Sequence, residues 1–126
     1  MSAATPYELI GKEDGVKNLA SAFYESMDEL EEALEVRQMH AKNLDLIKQK
    51  LFEYLNGWLG GPHLYKDKYG TICLTEPHQP YPIGEEQRDQ WIACWELALE
   101  KVDAPADFRE MTKEPIVRMA GFLVNQ

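Results

Sequence analysis

One histidine in this chain is hemmed in by prolines. In the stretch GTICLTEPHQPYPIG, residues 70–84, Pro77, Pro80 and Pro82 crowd His78. Each proline fixes a backbone torsion and removes a backbone donor, so His78 is stiffened without helix or sheet. A neutral imidazole held this way can ligate a metal, or it can be a packed loop residue with no chemistry. Other familiar chemistries are missing from the sequence. There is no GxxxxGK[ST] loop, no GxGxxG and no HExxH. No serine or cysteine sits in a nucleophile motif. His40, His63 and His78 are too far apart for a compact zinc motif. Cys73 and Cys94 form no CxxC pair and read as two reduced thiols.

The elements that must position these residues are helices. Thr5, Pro6 and Glu8 predict a capped short helix that Gly11 ends. Val16, Leu19, Ala20, Phe23, Tyr24 and Met27 form one buried stripe on a helix over 12–28. A short helix is expected at 31–39. Another runs over 44–59, with Leu44, Ile47, Leu51, Leu55 and Trp58 on one face and Lys48, Gln49, Glu53 and Asn56 mostly on the other. Gly60, Gly61 and Pro62 stop it.

From Gly60 to Ile83 no helical period is sustained, although GTICLT passes locally for a strand. A loop that long in a compact domain is functional or disordered. This one carries Leu64, Tyr65, Tyr69, Ile72, Leu74, Tyr81 and Ile83, too apolar for a free segment. Periodicity resumes at Gly84, with Trp91, Trp95, Ala98, Leu99 and Val102 inward. A last helix is expected over 105–124, with Phe108, Met111, Ile116, Met119, Phe122 and Leu123 inward and Pro115 bending or restarting it. The reading is a single all-α domain over residues 1–126 with one long ordered loop.

These elements bring together a stiffened imidazole, two polar-tipped aromatics (Tyr24 and Trp91) on inward faces, and an apolar face of Ile47, Leu51 and Leu55. A large planar apolar cofactor with an axial histidine would use all of them, as haem does. Buried Tyr and Trp need hydrogen-bond partners, which a bound ligand would supply. A cofactor-free helical domain would use the same residues as core, so the residues alone leave both readings open.

The ordered blocks PYELIG at 6–11, FY at 23–24, FEYLNGWLGGPHLY at 52–65, HQPYPIG at 78–84 and RDQWIACW at 88–95 resemble the truncated haemoglobins of group II. The resemblance spans roughly Tyr7 to Asn125. It implies a globin-like two-on-two helical sandwich with a long proximal loop, and haem b between that loop and the 44–59 helix. Through it, His78 matches the proximal iron ligand and Trp91 the distal indole. Tyr24 matches the distal tyrosine, and His40 an aromatic site where histidine is an allowed variant. Ile47 stands where classical globins place a distal histidine, with Leu51 one turn on. Lys50 and Tyr65 match positions that reach haem propionates. Tyr54, Leu55, Leu74, Tyr81 and Ile83 complete the residues expected against the cofactor. Two departures stand out. Pro77 occupies the place of a propionate-pairing arginine, and Trp95 stands where members often carry methionine.

The resemblance further implies oxygen as ligand, with nitric oxide, carbon monoxide or peroxide as others, held by donors from Trp91 and from Tyr24 or His40. The competing reading is a haem redox enzyme, peroxidase-like or removing nitric oxide, which would need a separate reductase. With a net charge of −9 and no basic cluster, the chain is not expected to bind nucleic acid. No apolar run reaches the length of a membrane span. The N-terminal residues lack the regions of a signal peptide, so a cytoplasmic location is expected; a monomer or homodimer is expected as its assembly.

Overall fold

The computed structural model describes residues 4–40, 42–71 and 82–125. The first helix, α1 (Pro6–Ile10), opens with the expected box. The Thr5 hydroxyl accepts from the Glu8 backbone N–H at 3.1 Å, and the Glu8 carboxylate accepts from the Thr5 N–H at 3.1 Å. Gly11 closes it in the left-handed region, at φ 106°, and starts α2 (Lys12–Glu29) at once. Such a tight corner needs a second glycine. A Cβ on Gly15 would lie 1.9 Å from the Ile10 carbonyl oxygen.

The predicted stripe of α2 is buried from Val16 to Met27. A 3₁₀ turn (Glu31–Ala33) and α3 (Leu34–Gln38) form the short element expected at 31–39. They are followed by α4 (Asp45–Trp58), α5 (Leu64–Tyr69), α6 (Glu85–Lys101) and α7 (Ala106–Phe122). The most extensive packing is α2 against α6 and α2 against α4, with α6 also on α7. This is the all-α two-on-two arrangement. No strand occurs among the described residues, and no described helix is long and apolar enough to cross a membrane.

Four expectations need correction. The stretch after Gly60 is not wholly aperiodic, since α5 occupies Leu64–Tyr69. Six residues are under two turns, and Lys66, Asp67 and Lys68 in the middle hide any apolar period. Glu53 and Asn56 do not face outward. They are buried because α4 packs against α5 as well as α2. The Asn56 amide donates to the Pro62 carbonyl at 3.0 Å, and Glu53 meets Lys68 at 3.3 Å.

Met111 and Phe122 are exposed rather than inward. The buried row of α7 runs through Phe108, Thr112, Ile116, Met119 and Ala120 instead. Thr112 joins that row because its hydroxyl donates back to the Phe108 carbonyl at 2.9 Å, which satisfies it inside the core. Finally, of the two outcomes expected at Pro115, bending or restarting the helix, the restart does not occur, and α7 continues through it to Phe122. Residues 72–75 of the strand-like GTICLT lie outside the described residues.

Candidate functional site

Three sequence-predicted residues are drawn into one row of rings. The His40 ring, just beyond α3, lies 5.5 Å from that of Tyr24, at 68°. Tyr24 meets Phe23 edge-on at 5.0 Å and 86°. Phe23 in turn meets Trp91 of α6 at 4.9 Å and 61°. Edge-to-face contacts of this kind are favourable beyond the area they bury. Phe23, read from sequence only as core, is the piece that joins the two polar aromatics. Consecutive positions on a helix point about 100° apart, so a stripe does not show that one of its members will bridge to α6.

The row is braced from outside. The Val36 N–H donates to the Gln90 side chain at 3.4 Å, and the Gln87 amide donates to Glu35 at 2.6 Å. Both bonds tie α3, which leads to His40, to α6, which carries Trp91. Gln87 also accepts from the Gly84 N–H at 2.8 Å, fixing the start of α6.

The electrostatics keep the row neutral and donating. Tyr24 is buried, and that burial, with Cys94 nearby as a lesser cause, pushes its phenol well above the ordinary tyrosine range. It therefore stays an O–H donor. Burial pushes the Cys94 thiol up to about 12, with Glu32 adding to the effect. Cys94 is thus a thiol, with no thiolate to offer a metal or substrate. Neither the Tyr24 hydroxyl nor the Trp91 indole N–H is hydrogen-bonded to any described residue.

His40 differs. Its Nδ1 lies 2.8 Å from the Val36 carbonyl, which can only accept, so Nδ1 carries the proton. A neutral His40 then presents Nε2 as an acceptor, and only the imidazolium has a second N–H to give.

The row along α4 has a different character. Ile47, Leu51 and Tyr54 follow one another at helical spacing and are half-buried, while Leu55 is sealed in the core. Lys50 borders the row, with its ammonium 5.8 Å from the Tyr69 ring. Tyr65 stands between Tyr54 at 5.6 Å and Tyr69 at 4.5 Å. Ile83 is clamped to the chain end: its N–H donates to the Asn125 side chain at 3.0 Å and its carbonyl accepts from the Asn125 N–H at 2.8 Å. His78, Leu74 and Tyr81, with Pro77, lie outside the described residues. Among the described residues no three His, Cys, Asp or Glu side chains converge as metal ligands.

These residues fit a flat ring with an apolar body and an acidic edge. Donors without a described partner stand on α2 and α6. A half-buried apolar row runs along α4, and a lysine and a tyrosine border that row. A cavity of about 80 Å³ lined by Glu53, Tyr54, Gly57, Trp58, His63, Tyr65 and Lys66 is a separate feature. It is well below the roughly 300–1,000 Å³ of a small-molecule site.

The model of the family described as bacterial-like globin matches residues 5–125. A group 2 truncated haemoglobin of Bacillus subtilis strain 168 is 31% identical over 121 residues, covering 96% of this chain and 89% of the relative. Among solved structures, the cold-adapted truncated haemoglobin of the Antarctic marine bacterium Pseudoalteromonas haloplanktis TAC125 superposes with a TM-score of 0.92 at 38% identity. It covers 98% of this chain and 99% of that one. The group II 2-on-2 haemoglobin of Agrobacterium tumefaciens superposes with a TM-score of 0.93 at 37% identity, covering 100% and 98%.

Proposed function

This chain belongs to the bacterial-like globins, and among them to the group II truncated haemoglobins, and from that premise we propose that it is a haem b protein that binds oxygen and other diatomic ligands at a His78-ligated iron. Haem, when bound, supplies the iron that takes the diatomic ligand. In this reading His78 holds the ring from the proximal side. Ile47, Leu51, Tyr54, Leu74, Tyr81 and Ile83 enclose its apolar body, while Leu55, expected to join them, is sealed in the core. Lys50 and Tyr65 meet its carboxylate edge, compensating for Pro77 in place of an arginine.

The observation that carries the proposal is the pair of donors without described partners, Tyr24 O–H and Trp91 N–H, held apart by Phe23. A diatomic ligand that gains negative charge accepts from both. Ile47 and Leu51, being apolar, exclude water from that contact without competing for the ligand. The absorption spectrum of the purified protein tests the haem assignment. A Soret band is expected, and His78→Ala should weaken or abolish it. A protein with no Soret band, or a His78→Ala variant with an unchanged spectrum, contradicts the assignment.

A second reading is redox turnover with peroxide or nitric oxide, with electrons from a separate donor. The run of tyrosines from α4 to the surface favours it.

A further inference from the structure

Periodicity predicts Met111 and Phe122 inward, yet both stand in solvent, 43% and 68% exposed. They are not scattered. At 3.6 residues per turn, Met111, Pro115, Arg118 and Phe122 fall within about 60° of one another on α7. Their steps of four, three and four are those of an a/d seam between two helices. The seam is open to solvent, and Glu110, Met111, Lys113, Glu114, Pro115 and Arg118 line a groove along it. An apolar side chain exposed singly needs no explanation, but a row at this spacing fits the side of another helix.

Charge and backbone point to the kind of helix. Glu110 and Glu114 edge the N-terminal half of the seam, and Arg118 stands in its C-terminal half. None of the three forms an ion pair with a described residue. Pro115 has no N–H, so the Met111 carbonyl loses its usual helical donor and is left to water or to a donor from outside. Carboxylates lie toward one end, a guanidinium toward the other, and a large apolar side chain at each end. Such a face complements itself when turned by half a circle.

We propose that this face of α7 binds the same face of a second copy of the chain, antiparallel, across a two-fold axis between Pro115 and Arg118. Met111 of each copy then meets Phe122 of the other, a sulfur–aromatic contact made twice. Arg118 of each copy lies about 1.5 Å along the axis from Glu114 of the other. It can donate to that carboxylate and to the Met111 carbonyl that Pro115 frees. A parallel pairing would set Arg118 against Arg118. The helix has 17 residues and is about 25 Å long, so the interface is small and the dimer forms and parts with concentration. The pairing does not depend on haem.

Sedimentation velocity of the full-length protein as purified, over a range of concentrations, tests this. The wild type should pass from monomer to dimer as concentration rises. Met111→Asp, Phe122→Asp and Arg118→Glu should each weaken dimerisation by about tenfold or more. The exchange of Glu114→Arg together with Arg118→Glu restores opposite charges across the axis and should recover the dimer. Leu46→Asp, at an apolar residue 70% exposed on α4, should change nothing. All these residues are at the surface, and an unchanged thermal midpoint shows that each variant is folded. A wild type that stays monomeric at every concentration overturns the second copy as occupant and leaves the face to a different partner. A dimer that survives the single variants, or an exchange that fails to restore it, overturns this pairing.

Discussion

Two rows of aromatic rings cross this molecule, spaced alike and built for opposite conditions. His40, Tyr24, Phe23 and Trp91 stand 4.9–5.5 Å apart. Tyr54, Tyr65 and Tyr69 stand 4.5–5.6 Å apart. The first row runs through the core, where Phe23 and Tyr24 are 1% and 5% exposed. No lysine stands over its rings among the described residues, and burial holds its phenol protonated. The second row ends at a half-exposed ring flanked by two ammonium groups. Ring spacing alone therefore assigns neither role. Burial keeps the phenol of the first row protonated, and charge gathers at the outer end of the second.

The contrast breaks first on stability. Phe23→Ala empties a fully packed site and should cost about 3–5 kcal/mol. Tyr69→Ala, at the surface, should cost within about 0.5–1 kcal/mol. Denaturant unfolding of the two variants checks this, and equal losses would remove the distinction between the rows.

Acidity should affect the first row through His40. Its Nδ1 proton is committed to the Val36 carbonyl, so only the cationic ring can donate toward a ligand. Oxygen release should therefore slow as pH falls from about 8.5 to 5.5, by less than about tenfold, and His40→Phe should flatten the profile. A flat wild-type profile would reduce His40 to a support for Tyr24.

The smallest effect lies at alkaline pH. Burial raises the folded Cys94 above the ordinary thiol value, so the unfolded chain loses that proton first. The stability this supplies is full below about pH 8.5 and is lost as pH rises toward about 12. Thermal unfolding measured between these limits should show a shallower decline in Cys94→Ala than in the wild type.

Much of this architecture is written in local rules. The Thr5–Glu8 box, the α2 stripe and the stop at Gly60 follow from capping and periodicity, and each stands in the structure. Tyr24 and Trp91 were legible as inward polar aromatics because such groups need partners. The residue between them was not, because Phe23 fits a core stripe equally well whether or not it bridges. Periodicity placed Glu53 and Asn56 outside since it counts one buried face, whereas α4 is covered on two. Similarly, α5 escaped because one and a half turns rich in lysine carry no apolar period. The tyrosine ladder joins residues of α4 and α5 and becomes visible only when the two helices meet. Thr112 shows the converse case: its polar side chain reads as surface until its back-bonded hydroxyl is seen.

The central claim is that Trp91 and Tyr24 hold the guest ligand by donated hydrogen bonds. The direct measurement is the oxygen dissociation rate of the ferrous haem-loaded protein by stopped flow, wild type against Trp91→Phe. Phenylalanine keeps the ring against Phe23 and removes the N–H. A donor to a charged acceptor contributes about 1.5–3 kcal/mol, so release should quicken by roughly ten- to a hundredfold. An unchanged rate in a variant with a normal haem spectrum would contradict the account.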